Sequence, residues 1–148
     1  MRCAPLAMLP IEKLEAMESL RATHGTPASE ASCGFLYDFT RRMAYGGIAY
    51  CPTECPDSAC GYCWDTVDAA IWSLGHSESF EGAVLNAVNL GGDTDTNACV
   101  TGALAAIFYG RVSEEWLSQL RGRDTIDRVL DKAERRIVSM LKRALSED

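Results

Sequence analysis

Apolar residues recur at helical spacing along nearly the whole chain. Across residues 11–21, Ile11, Leu14, Ala16 or Met17, and Leu20 fall three and four positions apart, which lays them on one face of an α-helix. His24-Gly25-Thr26-Pro27 breaks that pattern. Pro27 suits a first helical turn, and a second run passes through Cys33, Leu36, Tyr37 and Thr40 to about Ala44, where Gly46-Gly47 stops it. Residues 50–61, with two prolines among small polar residues, read as a loop. A helix from Tyr62 or Trp64 to Leu74 follows, with Val67, Ala70, Ile71 and Leu74 on one face and Gly75-His76-Ser77 closing it. Ser79 is placed to cap the next, which carries Phe80, Val84, Leu85 and Val88. From about Thr94 to Tyr109 the chain is apolar on nearly every side, which predicts a buried helix, ended by Gly110. Ser113 caps a short helix to Leu120. Asp124 caps the last, where Ile126, Val129, Leu130, Ala133, Ile137 and Leu141 keep i, i+3, i+4 spacing in a stripe that extends to residue 145 and reads as a packing face. No stretch alternates as a strand would, and no segment repeats. The pattern predicts an all-α fold, a compact orthogonal array of about six or seven helices forming a single domain over residues 1–148.

Composition narrows this picture. A chain of 148 residues with 47% hydrophobic and 24% charged residues is ordinary for one globular domain and unlike a disordered segment. The longest uncharged run, residues 96–110, is too short to span a bilayer and contains Asn97, Thr101 and two glycines, so no membrane partner is expected. The first fifteen residues show no export signal, and the cysteine count of seven is odd; both predict reduced thiols and a cytoplasmic protein. The net charge of −7 is uneven, with 5 Lys and Arg against 13 Asp and Glu in residues 1–110, and 9 against 8 in residues 111–148. An acidic body lacks the basic face that a nucleic-acid backbone requires, but it suits a cation.

The segment richest in chemistry is NLGGDTDT, residues 89–96. Asp93 and Asp95 flank Thr94 at the entrance of the apolar helix, Thr96 follows, and Gly91-Gly92 permits a tight turn against a ligand. One reading is capping, since carboxylates suit a helix N-terminus. The other is a divalent cation: a buried carboxylate pair needs a counter-charge or a proton, and hard oxygen donors are what Mg²⁺ takes. The spacing leaves both open.

GGDTDTNACVTGALAAIFYG resembles the C-terminal metal motif of the ADP-ribosylglycohydrolase family. The likeness extends to MRCAPLA at residues 1–7, THGTP at 23–27, GYCWDTVDAAIWSL at 61–74, SFEGAVLNAVNL leading into the motif, and EEWLSQL at 114–120. The resemblance implies the C-terminal half of an all-α family fold. It implies Mg²⁺ or Mn²⁺, two ions in the family, on Asp93, Asp95 and Thr96, with Asp93 and Asp95 as the catalytic carboxylates. It places His24 and Tyr62 in an ADP-ribose pocket, with Gly91 and Gly92 as the turn against it. The family reaction is hydrolysis of the glycosidic bond between ADP-ribose and an acceptor such as a protein side chain. The partner implied is an ADP-ribosylated protein or an ADP-ribose-containing small molecule.

The family's N-terminal half supplies a Thr-Asp-Asp cluster that finishes the two-ion site, and this sequence has no counterpart to it. Asp65 and Asp68 share a helix face at i, i+3 but do not form a Thr-Asp-Asp run. The expectation is therefore a chain inactive in isolation, which pairs as a homodimer or with a complementing N-terminal-half chain. On the residues alone, His24 also fits a solvated loop, and Tyr62 a half-buried helix start.

Two alternatives stand beside this reading. One is a non-catalytic, degenerate module that keeps weak metal or ADP-ribose binding. The other is a small zinc-stabilised interaction protein, using the loop in which Cys51, Cys55, Cys60 and Cys63 are spaced C-x3-C-x4-C-x2-C. Trp64, Trp72 and Trp116 read as core or semi-core anchors.

Overall fold

The structure is a computed structural model and describes residue 1, residues 3–47 and residues 52–144. Among the described residues it holds eight α-helices and no strand: α1 (Cys3–Ala7), α2 (Lys13–Arg21), α3 (Pro27–Ala44), α4 (Cys63–Gly75), α5 (Phe80–Asn89), α6 (Thr94–Tyr109), α7 (Glu114–Gln119) and α8 (Arg123–Ala144). The all-α expectation is met. The helix beyond those predicted is α1, a five-residue turn containing Pro5 that is too short to show a period. The chain divides into two compact units, Met1–Val112 and Ser113–Asp148.

Local chemistry sets the helix ends. Thr26 accepts from the Ser29 amide at 3.2 Å while the Thr26 amide donates to Ser29 Oγ at 3.1 Å, a reciprocal cap with Pro27 in the first turn. Ser79 accepts from the Gly82 amide at 3.0 Å, and Ser113 accepts from the Trp116 amide at 3.4 Å. Asp124 lies within the first turn of α8 and does not cap it. Gly110 ends α6 in the left-handed region, φ 66°, its amide donating to the Ala106 carbonyl.

In the first unit α6 packs against α5, α4, α3 and α1, and α3 also packs against α1, α2 and α4. Leu104, Val100, Asn97 and Thr101 of α6 are among the largest fully buried side chains, joined in the core by Leu36 and Tyr37 of α3 and Ile71 and Leu74 of α4. The prediction that α6 is buried on all sides is corrected: Cys99 is exposed and Phe108 is 56% exposed. The side chains of α6 are small enough that only one face is needed for close packing. Tyr37 Oη donates to the Ile11 carbonyl at 2.9 Å, and Tyr109 Oη donates to the Ser77 carbonyl at 2.8 Å, so the buried phenol of Tyr37 and the half-buried one of Tyr109 are both satisfied.

The second unit holds α7 and α8. The apolar stripe of α8 is not packed away: Val129 is 62% exposed and Leu130 60%. Trp64 and Trp72 are half-buried, as expected of semi-core anchors, whereas Trp116 is exposed. No described helix is long and apolar enough to cross a membrane.

Candidate functional site

A cleft of about 520 Å³ opens in the first unit where five segments distant in sequence meet. The α2–α3 turn contributes His24 and Thr26; α3 contributes Ser29, Ser32, Cys33 and Leu36; the start of α4 contributes Gly61, Tyr62, Cys63 and Thr66; the start of α6 contributes Asp93, Thr96 and Val100; and α1 contributes Cys3.

The entrance of α6 owes its position to two glycines and one carbonyl. Gly91 and Gly92 have φ of 80° and 65°, which lets the chain reverse between α5 and α6. A Cβ on Gly92 would fall 2.3 Å from the Ala59 carbonyl oxygen. That oxygen accepts from the Asp93 amide at 2.8 Å and from Asn97 Nδ2 at 2.9 Å, so the loop before α4 is tied to α6 at one atom. Gly91 faces open space, and neither glycine lines the cleft.

Asp93 occupies the residue before α6 with φ −85° and ψ 69°, and its side chain makes no capping hydrogen bond. Its carboxylate instead lies against Gly61, where a Cβ would fall 2.1 Å from Oδ2. Capping therefore does not account for Asp93. Asp95 Oδ1 accepts from the Thr96 amide at 2.8 Å. The Asp95 carboxyl is held below the usual carboxylate range, first by a hydrogen bond with the Asp93 carboxyl and then by that amide. The expected buried pair is corrected: Asp93 is half-buried and Asp95 is exposed, because the first turn of α6 directs it away from the packed face.

His24 is exposed, with Nδ1 2.9 Å from Thr23 Oγ1. Tyr62 is 52% exposed at the residue before α4 and makes no side-chain cap. His24, Tyr62, Asp93 and Thr96 thus share the cleft, while Asp95, Gly91 and Gly92 stand outside its lining. Sequence reasoning passed over Asn97, which clamps the Ala59 carbonyl, and Gly61, which leaves room for the Asp93 carboxylate. It also passed over Thr66, whose buried hydroxyl has no hydrogen-bond partner. Asn97 stands directly after the DTDT run and Gly61 directly before Tyr62, so proximity to the motif was the available signal.

The donor chemistry of this corner fits a hard cation: two carboxylates close enough to hydrogen-bond, a threonine hydroxyl, and room kept by a glycine. It does not enclose one, since among the described residues no three of His, Cys, Asp and Glu are grouped to hold a metal. That also bears on the cysteine loop. Cys51 lies outside the described residues, and Cys60 Sγ donates to Asp65 Oδ2 at 3.1 Å. The six described cysteines are free thiols.

Residues 44–144 match the family model of ADP-ribosylglycohydrolase, which is most of the chain. The chain belongs to the ADP-ribosylglycohydrolase family. It is 29% identical over 136 residues to an ADP-ribosylarginine hydrolase, Tri1, of Serratia proteamaculans, covering 75% of this chain and 37% of that protein. It is 27% identical over 143 residues to the ADP-ribosyl-[dinitrogen reductase] glycohydrolase of Rhodospirillum rubrum, covering 81% of this chain and 49% of that protein. Tri1 of Pseudomonas putida is 39% identical over 62 residues, 40% of this chain and 17% of its own length. The chain thus spans less than half the length of these ADP-ribosylglycohydrolase relatives. No solved structure gives a significant match. The GGDTDT segment, the α4 start and all of α6 lie inside the matched region, whereas His24 and the two thiols at Cys3 and Cys33 lie before it.

Proposed function

We propose that this chain carries the metal-bearing part of an ADP-ribosyl hydrolase site, which acts on ADP-ribose joined to a protein side chain. The observation that carries the reading is the cleft itself. It gathers His24, Tyr62, Asp93 and Thr96 from three segments, with Asp93 free of any capping role.

Asp93, Asp95 and Thr96 would hold Mg²⁺ or Mn²⁺, with water filling the remaining positions. Bound there, the ion supplies Lewis-acid polarisation of ribose hydroxyls and of an attacking water. The residues of the chain do the rest. Tyr62 offers a ring face at the cleft mouth, His24 a ring nitrogen near the sugar, and the unpartnered Thr66 hydroxyl a buried hydrogen-bonding group. Asp93 and Asp95 place negative charge where the anomeric carbon becomes positive as the acceptor departs. That two of the relatives are ADP-ribosylarginine hydrolases supports arginine as the acceptor.

Two carboxylates and one hydroxyl, without a third acid, give weak binding and little turnover by the chain alone, because catalytic groups that act as a unit fail together. The same shortage supports a second reading, a module that binds metal or ADP-ribose without catalysis. Calorimetric titration of Mn²⁺ into the wild type and into Asp95→Ala tests the site. Weak binding heat in the wild type that disappears in the variant is expected. Equal heats in both would remove the assignment. Turnover of an ADP-ribosylarginine peptide at a rate ordinary for enzymes would show that the chain needs no complement.

A further inference from the structure

Asp93 stands where a helix is ordinarily capped, and it does not cap. The residues that do, Thr26, Ser79 and Ser113, have extended ψ angles of 150°, 164° and 114°. That setting turns the side-chain oxygen back onto the first amides of the helix. Asp93 has ψ 69°, and its carboxylate makes no hydrogen bond to the early amides of α6, a helix of 16 residues.

The loop before α4 accounts for the difference. Its Ala59 carbonyl accepts from the Asp93 amide at 2.8 Å, which fixes the Asp93 backbone against the loop. Two residues further on, Gly61 passes the carboxylate with φ 85°. A Cβ at Gly61 would stand 2.9 Å from Asp93 Cγ and 3.0 Å from Asp93 Cβ, and nearer still to Oδ2. Rotation about the Asp93 Cα–Cβ bond would clear Cγ and Oδ2 but leave Cβ in place, and the bond to Ala59 keeps the backbone from retreating. A residue without a side chain fits this passage, and glycine also takes the positive φ without strain.

We propose that Gly61 is a positioning residue: its bare Cα makes room for the Asp93 carboxylate away from the α6 amides, in the cleft that both residues line, and so makes a metal ligand of a side chain that would otherwise be a cap.

That role rests on the reading in which Asp93, Asp95 and Thr96 hold Mg²⁺ or Mn²⁺. Gly61 touches no ion itself and acts through Asp93. A carboxylate turned back onto the helix would give its lone pairs to those amides, leaving Thr96 in the cleft without an acid beside it.

The experiment compares Gly61→Ala with Gly46→Ala in the full chain. Gly46 has φ 82°, and among the described residues nothing lies within 4 Å of where its Cβ would be, so that variant carries the backbone strain without the contact. Mn²⁺ is titrated into each by calorimetry, and each is melted. Gly61→Ala is expected to weaken Mn²⁺ binding by about 10–100-fold, the usual effect of losing a group that orients a metal ligand, so that the weak wild-type heat all but disappears. Gly46→Ala should leave the affinity at the wild-type value. Gly61→Ala should also lower the Tm by several degrees more than Gly46→Ala does. That excess should vanish when both are made in an Asp93→Gly background, which removes all three atoms the new methyl would meet.

The assignment falls if the wild type and Gly61→Ala bind Mn²⁺ equally, or if the Tm excess is missing or survives in the Asp93→Gly background. Absence of any Mn²⁺ heat from the wild type would instead remove the metal reading, and the role of Gly61 with it. If Gly61→Ala does not fold, the double variants decide. Gly61→Ala with Asp93→Gly melting like Gly46→Ala with Asp93→Gly upholds the contact, and a double variant that also fails to fold overturns it.

Discussion

Helices α6 and α8 make an instructive pair. α8 has the stricter pattern, with Ile126, Leu130, Ala133 and Ile137 on one stripe and charges opposite, yet Leu130 is 60% exposed. α6 has almost no polar face to set against an apolar one, yet Leu104 and Ala105 are fully buried and four other helices pack on it. Periodicity states that a helix has a side to hide. It does not state what hides it. Small residues such as Ala103, Ala105 and Ala106 let neighbouring helices approach α6 closely, and that, more than amphipathicity, makes it central.

Substitutions at matched positions test this contrast. Leu104→Ala removes a fully buried side chain and is expected to cost about 2–5 kcal/mol in a denaturant or thermal melt, whereas Leu130→Ala on α8 should stay within about 0.5 kcal/mol. Equal losses would mean that the α8 stripe is packed in solution, against a second copy or another chain. Glycines at left-handed positions sharpen the same contrast. Gly122→Ala, φ 74° in open space, should cost about 1–2 kcal/mol from the backbone alone. Gly92→Ala should cost about 3 kcal/mol, because its methyl also displaces the Ala59 carbonyl and the two hydrogen bonds on it. If the two variants melt together, the loop before α4 is not tied down as described.

Exposed ion pairs provide the smallest effect. In the first unit Arg21 Nε donates to Glu30 Oε1 at 2.7 Å and Arg21 Nη2 donates to Glu30 Oε2 at 3.2 Å; in the second unit, Arg123 Nε is 3.6 Å from Asp127 Oδ2. The Arg21 guanidinium draws the Glu30 carboxyl below its ordinary range. A lowered carboxylate contributes stability above its unfolded pKa of about 4.3 and loses it as pH falls through the folded value. Glu30→Gln should therefore shift the melt slightly at pH 7 and not at pH 2, and Asp127→Asn less still. Salt should erase both differences.

Most of the helices were legible because their apolar spacing and end residues agree: Thr26-Pro27, Ser79, Ser113 and Gly110 mark boundaries by local chemistry that needs no partner. α1 was not, because five residues make little more than one turn. The site was legible only in pieces. GGDTDT announces oxygen donors, but the exposure of Asp95 depends on how α6 sits among its neighbours, which no local window contains. Cys3 and Cys33 line one cleft from positions thirty residues apart with no spacing rule between them, and only the packing of α1 on α3 brings that about.

The Ala59 carbonyl carries one more consequence, in time. Amide protons in the first turn of a helix ordinarily exchange freely with solvent, for want of an acceptor. The Asp93 proton has one, and it belongs to the loop before α4. It can leave only when that loop lifts. Its exchange with deuterium should lag behind that of Asp95 and follow the opening of the loop, and Asn97→Ala, which removes the second bond to the same oxygen, should quicken it.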